Sequence, residues 1–329
     1  MQGRKVHGGP KPLKGHIGGA RLREIAAARA ARSGTLRVTV GGMEEVLHRV
    51  FPVLDHGFVR VVDYMGDDGA VVQAARVSYG RGTRHTRDDR ALIRYLMRHA
   101  HTTPFEMCEL KLHVKLPIFV ARQWIRHRTA SVNEYSGRYS VLDREFYVPD
   151  PSVLGVQDPR NRQGRGAALP PGKARRVVEM LRRDAAACYG HYERLIGAGA
   201  GTGASGAEYQ LARELARINL HLNFYTQWYW KTDLHNLLRF LELRTAPGAQ
   251  HEIAEYARVI CGITEKWVPF TWEAFRDYRL DAVRLSRLEV AVVRRLLAGS
   301  DPREALQGLS GREIRELEYA LGIDLSRFA

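Results

Sequence analysis

Cysteine is scarce: Cys108, Cys188 and Cys261 are the only three in the chain, far apart and with no CxxC pair. That pattern excludes the even disulfide framework of small secreted domains and suits a reducing compartment. Long apolar runs are missing as well. No stretch approaches the roughly 18 residues a membrane helix needs, and the start of the chain lacks the apolar segment of a secretory signal. The expectation is a soluble cytoplasmic protein with no membrane partner. Acid is in short supply, with 51 Lys plus Arg against 36 Asp plus Glu and a net charge of +15, which favours anionic partners such as nucleotides, polyglutamate tails or nucleic acid.

What is present is an ordinary globular composition. A hydrophobic share of 45% and a charged share of 26% over 329 residues are enough to bury a real core in one large or two ordinary domains. The basic excess is densest before Ser33, where Arg4, Lys5, Lys11, Lys14, Arg21, Arg23, Arg29 and Arg32 face only Glu24. Residues 1–50 read as a flexible basic extension, helix-prone in its Ala-rich part but with few large apolar groups to dock. An Arg-rich, acid-poor leader can also imitate an organelle transit peptide or act as a nucleic-acid-binding arm.

The core elements follow from periodicity. Val59, Val61 and Val62 mark a buried strand over residues 58–65, and Leu92, Tyr95, Leu96 and His99 stand at helical spacing. A short small-residue helix between them ends in Arg76-Val77-Ser78-Tyr79. Leu110, Leu112, Val114 and Leu116 alternate with Lys111, His113 and Lys115 as in a half-buried strand, and Pro117 opens a helix running through IFVARQWIRH. A second strand-like stretch lies within residues 137–148, and a long amphipathic helix covers residues 173–196. The run GAGAGTGASGA matches GxGxxG at Gly201, Gly203 and Gly206. It follows a helix, where a dinucleotide fingerprint needs a strand, so it reads as an interhelical loop. Residues 208–217 read as helix, NFYTQWYW from Asn223 as an aromatic strand, residues 233–243 as a helix capped by Asp233, and residues 250–266 as another helix. Beyond Tyr278 come two further helical patterns, the second opened by a Ser310/Glu313 capping box.

Chemistry concentrates in residues 122–139, RQWIRHRTASVNEYSGRY. The basic run Arg126-His127-Arg128 ends the predicted helix, and Ser131, Asn133, Glu134, Ser136 and Arg138 follow on a loop beside apolar Phe119, Val120, Trp124 and Ile125. Arginine forks bind phosphate in bidentate fashion, amide side chains read ring edges, and hydroxyls cap remaining oxygens. The mixture suits a polyanion with a planar head. A metal centre has less support, because His101, His127, His235 and His251 lack a spacing such as HExxH.

These residues carry a resemblance. Arg126-His127-Arg128, seven further residues and Ser136 match the RHR-x7-S motif of the flavin-dependent thymidylate synthases, with Gln123 before it and GRYS behind it. ARVSY at Ala75, HTTPFE at His101, LPIFVARQW at Leu116, NFYTQWYW at Asn223 and DLHNLLRFLELR at Asp233 recur in the expected order. The chain resembles that family over residues 57–278, leaving residues 279–329 as a helical C-terminal extension. The resemblance implies an α/β subunit of the α+β type, a β-sheet with flanking helices, assembled as a homotetramer with shared sites. It also implies FAD as cofactor, conversion of dUMP to dTMP, methylenetetrahydrofolate as carbon donor and NADPH as reductant, with no protein nucleophile.

Position by position, the resemblance assigns dUMP contacts to Gln123, Arg126, Glu134, Ser136, Gly137, Arg138 and Arg217, and the catalytic role to Arg244, which would stabilise the uracil as N3 loses its proton. It assigns the FAD site to Ser78, His101, Thr103, Arg126, His127, Arg128, Glu134, Asp233, His235 and Arg239. Arg239 stands where other members can carry a smaller polar group, and Gly248 in APGAQ replaces a common His. Two other readings compete. One is a basic nucleic-acid-binding protein, supported by the charge and the N-terminal arm; the other is a flavoprotein of the same fold without methylation.

Overall fold

The computed structural model describes residues 17–78, 89–159, 164–197 and 209–325. Tyr79, the glycine run from residue 198 to 208 and the basic residues before Ile17 lie outside them. The chain divides into two compact units, residues 1–274 and 275–329.

The first unit is built on a five-stranded antiparallel sheet of order β1-β2-β3-β7-β4. Its strands are β1 (Val50–Val53), β2 (Gly57–Met65), β3 (Glu109–Pro117), β4 (Ser131–Glu134) and β7 (Tyr225–Asp233), while β5 (Gly155–Gln157) and β6 (Arg165–Ala168) form a separate ribbon. The helices are α1 (Gly19–Ala30), α2 (Gly41–Val46), α3 (Asp68–Val77), α4 (Asp89–Arg98), α5 (Ile118–Trp124), α6 (Pro171–Ile196), α7 (Arg213–Ala216), α8 (Leu234–Arg244), α9 (His251–Trp267) and α10 (Pro269–Phe275).

The period-2 alternation of the strands explains the layering. Val59, Val114 and Trp228 are cross-strand partners, as are Val61, Leu112 and Trp230, and all six are buried. Over this face Trp124 of α5 packs on Trp228, Trp230, Phe240 of α8 and Tyr256 of α9, its ring 4.5 Å from that of Phe240. The aromatic run of β7 is therefore core.

The opposite face differs from the half-buried expectation. His113 is 2% exposed and Lys115 3%. His113 sits between the rings of Phe58 and Tyr229 and meets the Arg60 guanidinium at 3.2 Å, while Lys115 pairs with Glu145. Part of the cover comes from the segment expected to be a free arm. Helix α1 buries Ile25 against Val50 and Phe58, and Arg29 donates to the Leu47 carbonyl at 2.8 Å. One isoleucine at the right register outweighs the Ala-rich composition around it. Met43 and Val46 of α2 are buried as well.

Other local expectations shift. Helix α5 stops at Trp124, so Arg126-His127-Arg128 occupies the turn after it, and Ser131–Glu134 is strand β4 where a loop was expected. Residues 137–148 form no strand beyond a single bridge from Phe146 to Phe224. The helix expected over residues 208–217 is reduced to α7 and a 3-10 turn, Arg217–Asn219. Asp233 does cap α8, accepting from the Asn236 N–H at 2.9 Å.

The second unit comprises α11 (Arg287–Leu297), α12 (Pro302–Ala305) and α13 (Gly311–Leu321) around Val292, Leu306, Ile314, Leu317 and Leu325. Ser310/Glu313 is a complete capping box, and Ser286/Glu289 is a second one. Among the described residues no helix is long and apolar enough to cross a membrane.

Candidate active site

The strand-to-helix junction at Pro117 fixes the position of the motif. The Ile118 and Phe119 N–H groups donate to the carbonyls of Phe224 and Leu222 at 2.8 and 3.0 Å, tying the first turn of α5 to the approach to β7. The motif leaves α5 at Trp124, turns through Arg126 to Arg128 and returns as β4 on the edge of the sheet beside β7.

The tightest group joins Gln123, His127 and Arg244. Arg244, the last residue of α8, donates from Nε to His127 Nε2 at 3.0 Å and from Nη2 to the Gln123 carbonyl at 3.3 Å. Burial, then the charges of Arg244 and Arg239, hold His127 down at about 4. The imidazole is thus neutral near pH 7, with Nε2 accepting and the proton on Nδ1. Burial also lowers Arg244 from the ordinary arginine value, yet a guanidinium remains charged in proteins. Among the described residues no carboxylate pairs with Arg244, Arg126 or Arg128, and the last two are exposed. A cluster of uncompensated guanidinium charge beside a dry aromatic core is suited to an anionic, planar ligand.

A polar chain that runs from part-buried glutamines to a buried carboxylate continues from the same place. Gln123 Nε2 donates to Gln250 Oε1, and Gln250 Nε2 donates to Glu252 Oε2 at 2.9 Å. Glu252, 2% exposed, takes Tyr147 OH at 3.1 Å and Arg165 Nη2 at 2.5 Å, both on Oε1. Burial pushes the Glu252 carboxyl up, but its hydrogen bonds, led by Arg165, leave it below the usual range. Gln250 and Glu252 were not among the expected site residues. The available signal was the Gln-x-Glu of AQHE, just beyond the Gly248 departure.

A second group lies at the turn after β4. Glu134 accepts from Thr226 Oγ1 at 2.7 Å across the β4/β7 edge. Ser136 Oγ accepts the Arg138 N–H at 3.2 Å, and Arg138 Nε donates to Glu214 at 3.0 Å. Gly137 is buried there, and a Cβ on it would lie 3.4 Å from Cδ of Arg217 and 3.3 Å from Leu142. The structure thus brings Gly137 and Arg217 together.

The third group sits at the other end of α8. The 3-10 turn Thr103–Met107 packs against α3 and α8, the Leu234 N–H donates to the Cys108 carbonyl at 2.8 Å, and Asp233 is the register partner of Glu109. Thr103, Asp233 and His235 are accordingly neighbours by element. Ser78 is the exposed cap of α3, and exposed His101 lies with its ring 5.7 Å from Tyr95. The Asp233 carboxylate is already engaged by the Asn236 backbone and side chain at 2.9 and 2.8 Å. Arg239 is exposed and paired with Glu242 at 3.0 Å.

The 11 residues of α8 separate the Arg244 group from the Asp233 group by about 16 Å at 1.5 Å per residue. A cavity of about 810 Å³, lined among others by Asp55, His56, Tyr147, Arg182, His251 and Glu255, contains none of the expected site residues. Another of about 520 Å³ beside α7 touches Leu215, Ala216 and Ile218, on either side of Arg217.

An antiparallel sheet flanked by helices, with arginines that no described carboxylate pairs gathered at a strand-helix junction, is an α+β arrangement suited to an anionic ligand. The profile of the thymidylate synthase complementing protein family matches residues 60–270. A flavin-dependent thymidylate synthase of Ruegeria pomeroyi is 59% identical over 301 residues, covering 92% of this chain and 97% of that one. One of Rickettsia prowazekii is 54% identical, covering 86% and 97%. Among solved structures, the UMP/dUMP methylase PolB from Streptomyces cacaoi bound with 5-Br UMP superposes with a TM-score of 0.60 at 34% identity, covering 68% of this chain and 95% of that one. The chain belongs to the flavin-dependent thymidylate synthase family.

Proposed function

We propose that the protein methylates dUMP to dTMP, with FAD as its flavin, methylenetetrahydrofolate as carbon donor and NADPH as reductant. It works in the cytoplasm as a homotetramer whose sites are shared between subunits. The carrying observation is Arg244, a partly buried guanidinium held by neutral His127 and the Gln123 carbonyl with no described carboxylate to cancel its charge. A fixed charge preorganised in this way stabilises the uracil as N3 gives up its proton, which raises electron density at C5 without a covalent adduct. The Arg244 and Asp233 groups stand about 16 Å apart on one chain, which supports a site completed by other copies.

The residues present fit a flavin dinucleotide: Arg126 and Arg128 are exposed and free of described ion pairs, the donor chemistry that grips a pyrophosphate. When bound, the flavin supplies the redox part of the reaction. Gln123, Arg126, Glu134, Ser136, Gly137, Arg138 and Arg217 hold the nucleotide, Arg217 at its phosphate. A thiolate route is disfavoured at Cys108 and Cys261, whose thiols burial pushes up to about 12. In the described part of the basic arm Arg21 pairs with Glu24 and Arg29 is bonded to the Leu47 carbonyl.

Aerobic purification should give a yellow tetramer by light scattering that oxidises NADPH and forms dTMP only with dUMP and the folate present. A flavin-free monomer that makes dTMP would overturn the proposal.

A further inference from the structure

The chain from Gln123 through Gln250 to Glu252 has a fixed direction. A carboxylate can only accept, so Gln250 must turn its amide NH₂ to Glu252 and its oxygen to Gln123. Gln123 therefore spends one Nε2 hydrogen on Gln250, and no described residue engages its Oε1. The far end is equally constrained, because Oε1 of Glu252 receives both Tyr147 OH and Arg165 Nη2, leaving Oε2 for Gln250. The same Gln123 residue is gripped by Arg244 through its carbonyl. We propose that Gln250 and Glu252 are positioning residues that set which end of the Gln123 amide faces the substrate nucleotide. This rests on the reading that Gln123 contacts dUMP.

The geometry makes one substitution reverse the whole chain. In Glu252→Gln the oxygen must stay with Tyr147 and Arg165, so the new NH₂ faces Gln250, Gln250 flips, and Gln123 flips in turn. Its NH₂ then replaces its oxygen at the free end. A nearly isosteric change more than one residue removed from the ligand thereby exchanges an acceptor for a donor. The swap Gln250→Glu/Glu252→Gln restores the original direction: the carboxylate now at position 250 accepts from Gln123 and from the amide now at position 252, whose oxygen keeps Tyr147 and Arg165.

The test measures KM for dUMP, kcat and flavin content on the full-length, flavin-loaded protein for Gln123→Ala, Glu252→Gln, the swap, and the Gln123→Ala/Glu252→Gln pair. Expected are a rise in KM of about tenfold in Glu252→Gln with kcat within about threefold and flavin retained, recovery of KM in the swap, and no further rise when Gln123 is already Ala. Tyr147→Phe, which leaves the carboxylate an acceptor, should keep the wild-type KM while lowering the melting temperature. If Gln123→Ala raises KM and Glu252→Gln does not, or the two effects add independently, the relay is wrong. If Gln123→Ala leaves KM unchanged, the assignment of Gln123 to the substrate falls and the relay with it. A loss confined to flavin content and melting temperature in Glu252→Gln would mark Glu252 as purely structural and also overturn the proposal.

Discussion

The two ends of helix α8 carry expected site residues in opposite situations. At the N-terminal end the Asp233 carboxylate is consumed by the helix itself, accepting from both nitrogens of Asn236. At the C-terminal end Arg244 is held by a neutral imidazole and a carbonyl, partners that orient it and leave its charge intact. The same helix thus uses one ionised group to build itself and presents the other. A residue type at the right sequence position is available for chemistry only when local structure has not already engaged it.

The largest effect should come from the free end. Arg244→Ala is expected to lower kcat by on the order of 10²-fold or more while flavin content and circular dichroism stay near wild type. Full activity in that variant would remove Arg244 from the catalytic role. At the consumed end, Asp233→Ala should cost about 1 kcal/mol of stability, read by urea melts, because it removes an N-cap, whereas Asp233→Asn should restore most of it. Flavin lost from Asp233→Asn at unchanged stability would reverse the comparison and make Asp233 a ligand first.

The His127 pKa sharpens the comparison further. Its native value of about 4 lies below the ordinary histidine range, so the unfolded chain takes up the proton first as pH falls. The neutral side chain contributes stability that is fully present above about pH 6.5 and is lost as pH falls from there toward 4. His113, held near 3 by burial and Arg60, acts in the same direction over a wider window. Arg244→Ala removes one cause of the His127 shift and leaves burial, the largest, in place. Its NMR-titrated pKa should rise yet stay below the ordinary value. An unchanged value would mean that the guanidinium contributes nothing there.

Elements with strong periodicity or explicit punctuation were legible in the sequence. The β3 alternation ended by Pro117, the α8 cap at Asp233 and the Ser310/Glu313 box all appear where expected. What was not legible depends on partners distant along the chain. Strand β4 exists because the β7 edge is there to pair with it, so polar, exposed SVNE reads locally as loop. Helix α1 docks through a single isoleucine, invisible against an Ala- and Arg-rich background. For the site, the resemblance pointed to His127 and Arg244 separately, on two different segments. Their contact spans 117 positions, and that of Gln123 with Gln250 spans 127, so no local pattern could supply either.

The smallest effect on turnover is expected from the cysteines, and it too follows from which groups are already engaged. Cys108 is fully buried with Sγ 3.4 Å from the Asp67 carbonyl, and burial, then Asp67 and Asp68, push its thiol up to about 12. Cys261 is pushed equally high, burial outweighing nearby Arg258. Both are poor nucleophiles near neutrality. Cys188 differs from these two in its neighbour, with Sγ 3.1 Å from His221 Nε2. A thiol beside an imidazole is the arrangement that can activate sulfur, so Cys188 is the informative case. It lies on α6, whereas the groups at the Arg244 end of α8 come from α5, the turn after it and α8. Cys188→Ala is therefore expected to keep dTMP formation within about threefold of wild type, with the triple replacement by Ala or Ser within about tenfold once its lower stability is accounted for. A loss beyond about 10²-fold in folded, flavin-loaded Cys188→Ala would transfer the activating role from the Arg244 charge to a thiolate.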